Sequence, residues 1–354
     1  MDHVKVLDGL RAIAVLIVIV SHSGLGHIVP GGFGVTMFFF LSGFLITMLM
    51  IIEIEKAHSL DFRGFYLRRT VRIVPPLLLC IAATLLLANS GFLKNPIQYE
   101  GLIWDFLFLS NYAAQITVSS MIPIPLWSLA VEEHFYLLFP MLFAIMWRAR
   151  GRNGVLLTVV GLIIATLTLR LILVAQGSNI ELIYYWSHTR ADSILFGSLL
   201  ALFNNPLRED RTLLDDSPIY FVIGCGLIML TFVVRDVWFR ETLRYSMQGV
   251  ALFLVFNYLL RTDNLITALL SSGPFKTVAN YSYVLYLIHM PLITAGLVLF
   301  ETSWRPMAIL AGIAASFAFA ALSYRYLEQP LLAWRKDFAA RLKVNRELRP
   351  KGLE

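Results

Sequence analysis

The chain has 354 residues, of which 58% are hydrophobic and 15% charged, and its mean hydropathy is +0.72. Soluble domains carry roughly 25% charged residues, so the composition excludes an ordinary water-soluble fold and predicts an all-α, polytopic transmembrane bundle. The formal net charge is +6.

In chain order the predicted spans are residues 10–28, 33–52, 74–91, 126–147, 155–175, 191–203, 220–234, 245–260, 281–300 and 307–326. Most approach the roughly 20 residues needed to cross a bilayer. The sixth is short, which predicts polar residues at its ends facing a cavity, and residues 101–113 read as a further partial helix. Orientation follows from the positive-inside rule. A cytoplasmic N-terminus places Lys5, the cluster between Lys56 and Arg72, Arg148, Arg150, Arg152, Arg208, Arg211, Arg261 and the basic tail inside. The opposite side then receives chiefly Lys94, Arg235, Arg240, Arg244 and Arg305, and both termini are inside. Topology thus accounts for the pI of about 9.3, and no nucleic-acid partner is needed.

The domain division expected is a transmembrane domain over residues 1–330 and a basic tail over 331–354. In the tail, Leu331, Trp334, Phe338 and Leu342 recur at helical spacing among Arg335, Lys336, Arg341 and Lys343. That pattern suits a helix lying along the inner lipid surface. The first span begins like a signal peptide, but Arg11 interrupts its apolar run and no small-residue cleavage site follows, so an uncleaved helix is expected. Cys80 and Cys225 both fall within spans, which leaves no disulfide framework or thiolate metal site. No grouping of His, Cys and carboxylates has metal-ligand spacing, so no metal is expected.

The informative residues are those that an apolar helix should avoid. Arg11 and His22 are eleven residues apart in the first span, about 1100° of helical rotation or about 20° from whole turns, and about 16 Å along the axis. One face therefore carries a permanent cation near one surface and an imidazole deeper in. Taken singly, Arg11 reads as a snorkelling residue and His22 as a polar group bonded to a neighbouring helix; together on one face they point to a functional cavity.

The segment Leu-Asp-Gly-Leu-Arg-Ala-Ile-Ala-Val-Leu-Ile-Val-Ile-Val-Ser-His, residues 7–22, resembles the first helix of acyltransferase family 3, the integral-membrane O-acyltransferases marked by an Arg, ten residues and a His. The resemblance continues through Phe38 to Ile46 (Phe-Phe-Phe-Leu-Ser-Gly-Phe-Leu-Ile), Arg69-Thr70-Val71-Arg72 and Trp127 to Tyr136 (Trp-Ser-Leu-Ala-Val-Glu-Glu-His-Phe-Tyr). It resumes at Arg190-Ala191-Asp192, Ser282 to Pro291 and Tyr324 to Pro330. These blocks run in order over nearly the whole chain, and the form expected is a stand-alone one without an appended soluble domain.

The resemblance implies a multi-pass protein of the bacterial inner membrane that transfers an acyl group, by default acetyl from acetyl-CoA, to a hydroxyl of a carbohydrate or lipid-linked glycan. Acyl-CoA is then a donor substrate, and no tightly bound cofactor is expected. Arg11, Arg69 and Arg72 are the donor-binding candidates, since guanidinium suits phosphate oxygens; Arg68 stays undecided, and any of the three loop arginines also fits plain positive-inside charge. His22 is the candidate general base, a role that typically contributes roughly 10²–10⁴-fold. An acyl-histidine intermediate remains the alternative.

Glu132 and Glu133 point about 100° apart, and Glu132 shares a face with Tyr136. Glu132 is therefore assigned the catalytic role, with Tyr136 lining the cavity; Glu133 is a close alternative that also reads as a solvated edge. His134 stands where the matching block usually has Gln. Arg190 and Asp192 open the sixth span, either as a salt bridge at a helix start or as hydrogen-bonding groups for acceptor hydroxyls. Ser282, Tyr286 and His289 share a helix face and either line the cavity or bond neighbouring helices. Glu328 reads first as structural support, paired with a cytoplasmic arginine.

Gly31, Gly32, Gly34 and Gly43 suit tight turning and close backbone approach. Family members often carry an acid where this chain has Thr36. A different class, a transporter or flippase of a glycolipid or acylated metabolite, would use intramembrane polar residues equally well, but no inverted repeat is found. The acceptor glycan and the acyl chain are not fixed by these residues.

Overall fold

The computed structural model describes residues 5–93, 95–116, 119–208, 214–300 and 304–334. Lys94, Arg211 and the tail residues Arg335, Lys336, Phe338, Arg341, Leu342 and Lys343 lie outside them. Among the described residues the fold is all-helical, without strands. In order, the α-helices are α1 (Lys5–Val20), α2 (Gly31–Ala57), α3 (Phe62–Asn89), α4 (Leu102–Phe106), α5 (Ser110–Ile116), α6 (Leu126–Ala175) and α7 (Ile180–Tyr185). They continue as α8 (Ser187–Phe203), α9 (Pro218–Val233), α10 (Val237–Glu241), α11 (Leu243–Leu259), α12 (Leu265–Leu270), α13 (Gly273–Leu299) and α14 (Arg305–Ser323).

Among the described residues, six helical runs are long and apolar enough to cross a membrane by length and composition: Lys5–Leu25, Gly31–Ala57, Phe62–Asn89, Leu126–Ala175, Gly273–Leu299 and Arg305–Trp334. A helix satisfies every interior backbone group within itself, which is what a hydrocarbon environment demands. Large apolar side chains such as Leu137, Leu138, Met141 and Ile145 on α6, and Val222, Met229 and Val233 on α9, are exposed on the protein's outside. Such faces are unsuited to water, and with the long apolar helices they describe a multi-pass membrane protein.

The helices depart from the predicted spans: α3 begins at Phe62 rather than residue 74, so Arg68, Arg69 and Arg72 are helical, α13 begins at Gly273, and α8, α9 and α11 are shorter than the six long runs. The first span was expected to reach residue 28, but α1 gives way to a π-turn at Ser21–Leu25, where Ser23 and Gly24 leave helical geometry and Gly24 has φ +98°. The stretches 126–147 and 155–175 form one run, α6, interrupted at Gly151 with φ +60° and ψ −153°, a conformation open to glycine alone. The partial helix expected over 101–113 is split into α4 and α5 by a loop in which Phe108 has φ +56°.

The chain divides into two compact units. The first comprises Met1–Leu60 and Pro96–Ser282. Its centre is the packing of α2 on α8: a Cβ at Gly43 would strike the Ile194 carbonyl, and one at Gly197 would strike the Phe40 carbonyl. Glycine on both helices lets the two backbones touch. Gly34 lets α2 approach the Ala14 carbonyl of α1 in the same way. The second unit comprises Asp61–Asn95 and Tyr283–Glu354. In it α3 starts on the cap Asp61, whose side chain accepts from the Gly64 N–H at 3.0 Å. The Tyr283 hydroxyl donates to the Ile73 carbonyl at 2.9 Å, and Gly296 and Gly312 bring α13 and α14 together.

Candidate functional site

In the first unit His22 sits on the π-turn and is exposed, while Arg11 is half-buried on α1. The Ser23 hydroxyl donates to the Val20 carbonyl at 2.7 Å, holding the turn against the end of α1. Beside it, a Cβ on Gly31 would meet the Ser21 side chain and one on Gly32 the Tyr184 hydroxyl. Gly31 thus sets the start of α2 close against the turn that carries His22, and Gly32 sets it close against α7.

The pairing of Glu132 with Tyr136 is direct, and a third residue joins it. Tyr136 Oη donates to Glu132 Oε2 at 3.1 Å and lies 2.9 Å from Ser42 Oγ; Ser42 Oγ donates to Glu132 Oε1 at 3.0 Å. A carboxylate taken into an apolar helix bundle needs donors, and two hydroxyls supply them here. Glu133 and His134, its neighbours on α6, are half-buried.

Arg190 and Asp192 are both fully buried and do not pair with each other. Asp192 binds Arg170, which the sequence reading passed over because it lies inside the apolar stretch 155–175. Arg170 Nη1 and Nη2 donate to Asp192 Oδ1 and Oδ2 at 2.8 and 2.6 Å. Its remaining donors reach the Thr242 carbonyl from Nε, the Thr189 carbonyl from Nη1 and Ser246 Oγ from Nη2, at 3.0, 2.6 and 2.7 Å. Ser246 donates on to Asp192 Oδ2 at 2.6 Å. Every guanidinium donor is thereby engaged. An arginine within an apolar stretch is itself the signal that could have found it.

Arg190 lies instead in an aromatic cage. Its Cζ is 4.0 Å from the Tyr245 ring centre, 5.1 Å from Tyr184, 5.6 Å from Phe39 and 5.8 Å from Trp127. Nη2 donates to Thr36 Oγ1 at 3.2 Å and Nη1 to the Tyr184 carbonyl at 3.4 Å. Stacking on ring faces compensates part of the cost of burying the cation. The hydroxyl that meets Arg190 belongs to Thr36 of α2.

Ser282, at the end of the first unit, donates to the Ala279 carbonyl of its own helix at 2.7 Å. In the second unit Tyr286 and His289 have ring centres 6.2 Å apart; His289 is fully buried, with Nδ1 3.0 Å from the Leu285 carbonyl. Arg69 is half-buried and Arg72 exposed on α3. Arg72 acts electrostatically on Glu328, the kind of partner expected for that carboxylate. Among the described residues no group of His, Cys, Asp and Glu could hold a metal ion.

The sequence profile of the acyltransferase domain of acyltransferase family 3 matches residues 4–325. The chain belongs to that family. It is 30% identical over 93% of its length to the peptidoglycan O-acetyltransferase OatA of Listeria monocytogenes, of which it covers 56%. It is 28% identical over 94% of its length to the O-acetyltransferase OatA of Staphylococcus aureus, of which it covers 58%. The chain thus spans just over half the length of these curated relatives. No solved structure matches it.

Proposed function

We propose that this acyltransferase family 3 chain is a membrane-bound O-acyltransferase that moves an acyl group, acetyl by default, from cytoplasmic acyl-CoA to a hydroxyl of a carbohydrate or glycolipid. The observation that carries the reading is the family match over residues 4–325. The names of both relatives support acetyl as the acyl group, and that of the Listeria relative supports peptidoglycan as the acceptor.

In this reading guanidinium forks, which suit phosphate oxygens, bind the donor, with Arg11 the candidate in the first unit and Arg69 and Arg72 the candidates in the second. Neutral His22 takes the proton of the sugar hydroxyl as its oxygen attacks the thioester carbonyl, and the coenzyme leaves as the thiol. The exposure of His22 supports this, since a base must reach its substrate. Glu132 and Tyr136 form a second polar centre that orients a reacting group, while Arg190 and Asp192, fully buried and bonded within the bundle, hold the start of α8; Ser282, Tyr286 and His289 are assigned to the acceptor. The chain crosses the bacterial inner membrane ten times with both termini in the cytoplasm, α6 supplying two crossings on either side of Gly151. Acceptor and donor then arrive from opposite sides, and the coenzyme polyanion never enters lipid.

The test is labelled acetyl-CoA supplied to membranes holding the chain. Label appearing on glycan is expected, and His22→Ala should lower its rate by about 10²-fold or more with donor binding retained. Unchanged turnover in His22→Ala removes the base from the mechanism, and glycan movement without label replaces the enzyme by a transporter.

A further inference from the structure

His134 on α6 and Ser187, the first residue of α8, form a pair that the acyl-CoA reaction does not use. His134 Nδ1 lies 2.6 Å from Ser187 Oγ. Asn111 Nδ2 donates to the same Oγ at 2.9 Å and also to the Tyr185 carbonyl at 3.3 Å. The carbonyl requires a donor, which fixes the amide nitrogen on that side of Asn111. Ser187 Oγ therefore accepts from Asn111, and its own proton has one acceptor among the described residues, the imidazole Nδ1. In the tautomer with the ring proton on Nε2, Nδ1 accepts that serine proton, and the backbone of Phe108 hydrogen-bonds the same ring. Phe108 is one of the few non-glycine residues with a left-handed φ, +56°, so the loop between α4 and α5 is held in an unfavourable conformation where it meets the imidazole.

This is the arrangement of an activated nucleophile: a hydroxyl hydrogen-bonded to a base that a third group orients. Ser187 also opens a 17-residue helix, and the N–H groups of its first turn, apart from that of Thr189, which donates to the Trp186 carbonyl at 3.3 Å, favour a developing oxyanion. Ser187 and His134 are half-buried and so open to a substrate. A wall of rings stands beside them. Tyr112 stacks on His188 with centres 5.8 Å apart and lies 6.0 Å from His134, while Trp186 is 5.0 Å from His188. Tyr112 Oη and His188 Nδ1 are joined at 2.9 Å, which fixes that wall.

We propose that Ser187 and His134 form a second acyl-transfer centre that acts on oxygen esters, with O-acylated sugars as the substrate class. Ser187 Oγ attacks the ester carbonyl as His134 takes its proton; the carbon–oxygen bond to the sugar breaks, and His134 returns that proton to the sugar oxygen. Water or a second sugar hydroxyl then attacks the acyl-serine, giving up its proton through His134 to Ser187 Oγ. The balance is that of hydrolysis or transesterification. Naming an O-acylated sugar as the natural ester rests on the reading of the chain as a glycan O-acyltransferase; the nucleophile itself does not.

The test uses the full chain in membranes without coenzyme A, given a fluorophosphonate probe and, separately, p-nitrophenyl acetate. An adduct on the peptide carrying Ser187 is expected, together with ester hydrolysis. Ser187→Ala should abolish both, and His134→Gln, which keeps a hydrogen-bonding side chain, should slow both by about 10²-fold or more. If Ser187→Ala does not fold, His134→Gln carries the comparison. Membranes that acetylate glycan from acetyl-CoA but yield no Ser187 adduct overturn the proposal and leave the main reaction standing. An adduct on Ser187 in membranes that acetylate nothing does the reverse.

Discussion

Replacing Asp192 by Asn tests the claim that the buried Arg170–Asp192 pair, rather than Arg190, anchors the start of α8. Both side chains have 0% exposure. The substitution keeps the shape but removes the negative charge, and turns an NH2 group toward one of two guanidinium nitrogens that now find carboxylate oxygens at 2.8 and 2.6 Å. Breaking a buried pair by neutralising one partner costs about 3–5 kcal/mol, because the remaining charge stays desolvated. At 1.4 kcal/mol per tenfold, the folded-to-unfolded ratio should fall by about two to three and a half orders of magnitude. The assay is denaturant unfolding of the detergent-solubilised chain followed by tryptophan fluorescence. A double variant, Arg170→Met with Asp192→Leu, removes both charges at similar volume and should recover most of the loss. Asp192→Asn unfolding within about 1 kcal/mol of the parent, or a double variant less stable than the single one, would refute this reasoning.

Three further outcomes are expected. Asp105, on α4 outside the long apolar helices, is buried, which pushes its carboxyl up to about 6 against an opposing hydrogen bond from Ser120. A folded value above the unfolded one means that the fold loses stability as pH rises from about 4 through 6, by on the order of 2–3 kcal/mol. Asp105→Asn should flatten that part of a stability-against-pH curve and be the more stable chain at pH 8. Tyr136→Phe removes the phenol from Glu132 and Ser42 and should cost about 1–3 kcal/mol in the same unfolding assay, with glycan acetylation reduced if Glu132 acts in the reaction. Gly43→Ala sets a methyl against the Ile194 carbonyl; separating α2 from α8 should cost about 1–3 kcal/mol by thermal unfolding.

What could be read from the sequence was what depends on neighbours along the chain. The apolar stretches became helices, the spacing of four between Glu132 and Tyr136 put them in contact, and Gly43 marks a close backbone approach. The partners of buried charges are set by distant segments, and there the reading stopped. Asp192 lies two residues from Arg190 yet binds Arg170, twenty-two residues away, and Arg190 meets Thr36 across 154 positions. Ser187 and His134 are separated by 53 positions, and although His134 stood out in its block, nothing local pointed to Ser187 as its partner. The overlong first span has a local cause: Gly24 and Gly26 follow an apolar run, and glycine at φ +98° ends the helix before Ile28.

Gly151 has a consequence for chirality. At φ +60° and ψ −153° the backbone occupies the mirror image of the extended region, which L-residues avoid and D-residues favour. Nothing lies within 4 Å of where its Cβ would be, so space is not the obstacle. Substitution by L-alanine should strain the break between the two legs of α6, whereas a D-alanine introduced by semisynthesis should be accommodated. At this one position the chain's path depends on the handedness of the monomer rather than on its size.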